Sequence, residues 1–274
     1  MMRQLVWFFL LAYSISWLIW VPLWLPALGI HGLPLFPMNH ALGGLGPMLA
    51  AVICTAAFKG RTGLEQLGRN AFTLRAPLLL LVALLAPFVL AALSIALSAA
   101  LHGTELTIGG LLRNKEFPQW SLAALFAYNL IFFGFGEEVG WRGFALPRFQ
   151  TKHNALWSSV LLALFWAAWH LPLFLYRPGY TSMDAAGAFG WLVSLLTGSV
   201  LLTWLFNSTR GSILAVALFH ATVDMPFTAE LPDERVVGYL GMFITLWGIA
   251  TVVIFKTRDL SKVPKSTVVD QATT

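Results

Sequence analysis

Eight apolar runs divide the chain, at about 5–28, 41–58, 77–101, 119–146, 155–176, 187–207, 211–226 and 236–256. An α-helix needs roughly 20 apolar residues to cross a bilayer, and most of these runs come near that length. The run at 211–226 is short and ends in polar residues. The pattern predicts an all-α, polytopic membrane protein of about eight transmembrane helices. Pro22 and Pro26 should kink the first span, and Pro47 and Pro87 lie inside the second and third. Membrane helices tolerate such prolines where neighbours satisfy the freed carbonyls. The segment 60–76 is expected to hold a short interfacial helix with Leu64, Leu67 and Phe72 toward lipid. The polar tail after Leu260 is expected to be disordered. The first run follows Arg3 and is too long and too rich in tryptophan for a cleaved leader, so it is taken as a retained span. No internal repeat and no soluble domain are visible.

Composition sharpens this picture. The chain has 274 residues, of which 58% are hydrophobic and 11% charged, against about 25% charged in soluble domains. The net charge of +5 is therefore not a nucleic-acid signal, because loop Lys and Arg in membrane proteins set topology. If both termini are cytoplasmic, the inside segments hold 13 Lys and Arg and the outside segments hold 4, namely Arg113, Lys115, Arg177 and Arg235. This bias predicts a multi-pass protein with both termini cytoplasmic, and the composition looks bacterial, which points to a bacterial cytoplasmic (inner) membrane. The single cysteine, Cys54, excludes an internal disulfide and a cysteine metal cluster.

Charged groups inside spans are rare and are usually functional, since each costs roughly 2.5–3.5 kcal/mol on insertion scales. The fourth run carries Gly136-Glu137-Glu138-Val139-Gly140-Trp141-Arg142. On a helix Glu138 and Arg142 face each other, while Glu137 is rotated by about 100°. The plainer reading is a salt-bridged anchor at the membrane edge, but a second glutamate there only adds repulsion and desolvation. His170 ends an aromatic segment in the fifth run and would alone read as a satisfied core histidine. His220 and Asp224 share a helix face in the seventh run. That pair suits two ligands on one centre or, equally, a buried hydrogen-bonded lock. Three spans each carrying a rare polar group point to one shared intramembrane site. Counted along the predicted spans, Glu137 and His220 lie at roughly 13 Å depth and His170 at roughly 22 Å. Gly134, Gly136, Gly140 and Gly143 should form a thin face that other helices approach closely.

These motifs, Glu-Glu-x-x-x-Arg, an aromatic segment ending in His, then His-x-x-x-Asp, resemble the CAAX-protease and bacteriocin-processing (CPBP, or Abi) intramembrane proteases. The resemblance is close over 119–224 and extends to Gly46-Pro47-Met48 and to the segment from Thr203 to Ser212. It implies division into N-terminal spans (1–118), a CAAX-protease-like catalytic core (119–226), and a last span with cytoplasmic tail (227–274). It implies an intramembrane endopeptidase, metalloendopeptidase-like, acting on a membrane-protein or peptide substrate, with no nucleic-acid partner. Glu137 would activate water with help from His170, Glu138 and Arg142 would be a supporting pair, and His220 and Asp224 would bind a metal or stabilise the oxyanion. A divalent metal such as zinc would draw on Glu137, His170, His220 and Asp224. The family has been described both as metalloproteases and as metal-independent glutamate proteases. Two positions depart from the pattern. Trp166 stands where Phe is frequent, and Asp224 stands where many members have Asn. An ionised Asp cannot donate to an oxyanion, which turns Asp224 toward ligation or toward orienting His220. The site is expected to open toward the cytoplasm. The rivals are a proton-coupled transporter using these groups as a relay, and a non-catalytic membrane scaffold of the same fold.

Overall fold

The computed structural model describes residues 1–273. Thr274, the last residue of the tail, lies outside the described residues. Helices make up 76% of the described chain, which contains no β-strand and only one isolated bridge, between Asn114 and Ala229. Eight helices form the bundle. They are α1 (Met2–Trp24), α2 (Asn39–Ala71), α3 (Pro77–His102), α4 (Leu122–Gln150), α5 (Ala155–Trp169), α6 (Ala185–Ser208), α7 (Ile213–Phe227) and α8 (Arg235–Asp259). Seven segments are long and apolar enough to cross a membrane, with α5 running on to Tyr176, and α7, with 15 residues, is shorter.

The short α7 nevertheless connects the two faces of the bundle. At its start Ser212 Oγ donates to Thr73 O, beside the contact of Arg75 with Arg210 O. After its end Thr228 Oγ1 accepts from Asn114 Nδ2, and Arg113 O accepts from Glu230 N. A helix of about 22 Å suffices because α7 is enclosed by protein, where irregular backbone finds partners that lipid cannot offer. The chain therefore alternates eight times between faces. Gln4 pairs with Arg148 and Lys265 reaches Gln150 O and His153 O, so both chain ends lie on one face. The Arg177–Glu116 and Ser98–Asp233 contacts lie on the other.

Local sequence sets the helix starts. Ser121, Asn154, Asp184 and Ser212 each accept a backbone N–H from three residues ahead, at 2.7–3.3 Å. Such side-chain acceptors satisfy donors that a helix N-terminus leaves open. The buried stripe of α1, Leu5, Phe8, Phe9, Ala12, Ser16 and Trp20, repeats every three to four residues and packs on α2. Gly60 adopts φ +61° and turns α2 out of its membrane course. The interfacial helix expected there is present, but Leu67 packs against the core and lies beside Gly143, whereas Phe72 is exposed.

α4 is central, flanked by α2 and α7. Its glycine face is as thin as expected. A Cβ on Gly136 would lie 2.8 Å from Gly44 O, and one on Gly140 would lie 2.6 Å from Pro47 O. Both obstacles are backbone. Gly140→Ala is therefore expected to force α2 and α4 apart, at a cost of roughly 1–3 kcal/mol. Thermal melting of the purified protein should show it, and an unchanged Tm would remove the close-packing argument.

The tail is not the disordered segment expected. Asp259 Oδ1 accepts from Lys265 N, the Lys265 ammonium caps the carbonyls of Gln150 and His153, and a helix, α9 (Ser266–Thr273), follows with Val268 buried. One long cation and one valine dock the tail, and neither is a signal that polarity alone would reveal. Burial lowers the Lys265 pKa from its ordinary value.

Candidate functional site

The site is built on an irregular stretch of α4. Residues Leu130–Phe135 and Trp141–Ala145 are wound as π-helix, and between them Gly136–Gly140 is one α-helical turn holding both glutamates. Such wide turns are rare and recur at functional sites. From Gly136 to Gln150 only Gly143 is not fully buried.

The adjacent carboxylates have separate surroundings. Glu138 Oε1 accepts from Arg142 Nη1 at 2.8 Å and from His220 Nδ1 at 2.7 Å. Arg142 is completely buried, its Nη2 donates to Ser199 Oγ at 3.3 Å, and its guanidinium lies 4.6 Å above the Trp166 ring. Ser199 Oγ in turn donates to Ser159 O at 3.0 Å. Glu137 turns away from this network. Its Oε2 accepts from the indoles of Trp166 at 2.7 Å and Trp141 at 3.1 Å. Its Oε1 faces His220 Nε2 at 4.0 Å. The angular separation expected from the sequence thus becomes a chemical one.

The histidines are fixed by their partners. The His220 Nδ1–H points at the Glu138 carboxylate, which directs Nε2 toward Glu137 Oε1, and in its neutral form the ring would offer a lone pair there. Asp224 Oδ2 lies 3.6 Å from the same nitrogen. Glu138, not Asp224, therefore orients His220. His170 Nδ1 donates to Trp166 O at 2.7 Å, which leaves its Nε2 as an acceptor. Its ring is enclosed by Trp166, Trp169, Tyr180 and Trp191, with centroids 4.9–6.0 Å away. Tyr180 sits in the loop after α5, and burial pushes its phenol well above the ordinary value, keeping it a neutral hydroxyl. The structure thus brings Glu137, Glu138, Arg142, His220 and Asp224 into one cluster, with His170 packed against the same Trp166 ring as His220.

The depth mismatch between His170 and the other groups disappears. Because α4 continues to Gln150, Glu137 lies roughly 20 Å from that end, level with His170 at roughly 22 Å from the start of α5. His220 shares that level, as its contacts with Glu138 and Glu137 show.

The two ends of the site differ in burial. Toward the chain-end face, Trp141, Phe144, Leu146, Leu162, Ile213 and Val216 are fully buried and seal it. Toward the opposite face, Tyr128, Val223, Tyr180 and Trp191 are only partly buried, and the Asp224 side chain is 30% exposed. The partly exposed groups of the site thus lie on the face opposite to the chain ends.

Neutral imidazole held by a carboxylate is a common metal-ligand arrangement. Among the described residues, however, no three His, Cys, Asp or Glu side chains are spaced to hold one ion. The divalent ion expected from the sequence has no such donor set here. The sequence reading also missed Ser159, Ser199 and Tyr180, as well as the two indole donors, because hydroxyl and aromatic residues are unremarkable in apolar helices.

Residues 118–226 match the family described as type II CAAX prenyl endopeptidase Rce1-like. The chain is also 39% identical over 44 residues to a protein named CAAX prenyl protease 2 from Methanococcus maripaludis. That match spans 16% of either chain. The family match over 118–226 contains every group of the cluster described above. Residues 118–226 are thus similar to the Rce1-like type II CAAX prenyl endopeptidase domain, and the likeness covers under half of the chain.

Proposed function

We propose that this protein is an intramembrane endopeptidase in which Glu137 activates water for attack on a peptide bond. The observation that carries the reading is the division between neighbouring carboxylates. Glu138 is committed to Arg142 and His220, while Glu137 keeps Oε1 directed at His220 Nε2 across 4.0 Å. One water hydrogen-bonded to both groups spans such a separation. It would donate one proton to Glu137 and the other to the Nε2 lone pair, leaving its oxygen lone pairs for the substrate carbonyl. Glu137 takes the proton as the C–O bond forms, and returns it to the departing amine as the C–N bond breaks. The products are a carboxylic acid and an amine, so protons and atoms balance. His170 and Asp224 line the approach, His170 as an acceptor and Asp224 at the rim.

The substrate class follows from the enclosure. The site is reached between apolar helices, which suits a membrane-associated or lipid-anchored peptide, with a prenylated C-terminus or a bacteriocin-type precursor as the two forms to test. A proton-relay function is the second reading, favoured by the buried hydroxyls Ser199, Ser159 and Thr203 that continue from Arg142 toward Asn207 and Gln150.

Two measurements test the reading. The full-length protein in nanodiscs is expected to cleave a farnesylated or unmodified peptide panel, and to do so equally with and without chelator. Loss of activity on chelation, restored by zinc, would replace water activation by Glu137 alone with a metal-assisted route. Orientation is tested by cysteine labelling, with the native Cys54 buried. The Lys and Arg bias predicts that a cysteine at Gly63 reacts only from the cytoplasm and one at Gly179 only from outside. The mouth of the site would then face outward. The reverse pattern would place the mouth in the cytoplasm and overturn the charge-based orientation.

A further inference from the structure

We propose that Trp141 and Trp166 are positioning residues whose indole N–H groups clamp one oxygen of Glu137 and thereby dedicate the other to water. The inference rests on the reading of Glu137 as the base.

Both indoles donate to the same atom, Oε2, from different helices, Trp166 at 2.7 Å and Trp141 at 3.1 Å. Indole N–H is a donor only, so neither tryptophan can take a proton from water or compete with Glu137 for it. With two donors on Oε2, rotation of the carboxylate is blocked and Oε1 is the oxygen presented to His220. Burial by itself does not force this pairing, since the buried indoles of Trp169 and Trp204 have no hydrogen-bond partner among the described residues. The winding of α4 contributes as well, because the π segment begins at Trp141, one turn beyond Glu137. Trp166 has further contacts. Its ring lies under the Arg142 guanidinium at 4.6 Å and against the His220 and His170 rings at 5.5 and 5.7 Å. A single side chain thus registers α5 against the charged groups of α4 and α7.

The test replaces the donor and keeps the ring. Trp141 packs against Phe8, Phe9 and Trp169, so its loss risks the fold, and Trp166 is the primary target. The variants are Trp166→Phe and Trp166 replaced by benzothienylalanine, an isostere with sulfur in place of the N–H. A hydrogen bond to an ionised group is worth a factor of roughly ten to a hundred. Both variants are expected to lose about that factor in kcat, with KM within about threefold and an unchanged melting temperature for the isostere. A packing role would leave the isostere fully active, and that result overturns the proposal. A second readout does not depend on turnover. The infrared carboxyl band of Glu137, isolated as wild type minus Glu137→Gln, should shift in both Trp166 variants. An unshifted band also overturns the clamp. If wild type cleaves nothing, the peptidase reading fails, while the infrared band still decides whether the indoles hold Glu137.

Discussion

Glu137→Gln is expected to reduce peptide cleavage to background while the protein still folds. Glutamine keeps the volume of the side chain, and its Oε1 can still accept an indole N–H. It cannot take a proton from water, which is the one property the mechanism requires of this position. General-base catalysis contributes typically 10²–10⁴-fold, and the substituted site retains no neighbouring group in the same position. Asp224 lies beyond His220 Nε2, and Glu138 is occupied by Arg142 and His220. Melting temperature should stay close to wild type, because the polar contacts of Glu137 are neutral indole donors. Full activity in Glu137→Gln would end the assignment. Loss of proton-coupled uptake, with no cleavage in wild type, would move the protein to the transporter class.

The neighbouring glutamate should behave in the opposite way. Glu138→Gln is expected to be the most destabilising conservative change in the site. Arg142 and Glu138 are both fully buried and 2.8 Å apart. Removing one charge leaves the other uncompensated in a low-dielectric interior, at a cost of about 3–5 kcal/mol. Replacing both partners by apolar groups of similar volume is often close to neutral. The double variant Glu138→Leu with Arg142→Met should therefore recover most of the stability lost by either single change. It should not recover activity, since His220 loses the acceptor that sets its tautomer. Melting temperatures of the four proteins form the test. Simple additivity of the two single changes would show that the pair is not coupled, and that the buried network is not what holds α4 against α7.

These two outcomes separate what was readable along the chain from what was not. Apolar spans show in the sequence because lipid admits so little else. For the same reason Glu137, Glu138, Arg142, His170, His220 and Asp224 stood out individually. The 3.6-residue turn alone set Glu138 against Arg142 and turned Glu137 elsewhere, and the glycines announced a close approach. Other features have no local signature. The π segments of α4 depend on packing against α2 and α7. The partner of Glu138 on α7 lies 82 positions away, and its identity depends on how both helices are rotated in the bundle. The two indoles on Glu137 look like ordinary apolar side chains until their helices are docked, and Lys265 shows no sign of being an anchor. The side on which the site opens has no local signature either, because it depends on which layer of the bundle is sealed. Along the chain, the cost of placing charge in lipid determines which residues matter. Only the tertiary structure decides which atoms of those residues face one another, because that depends on the rotation and depth of helices packed side by side.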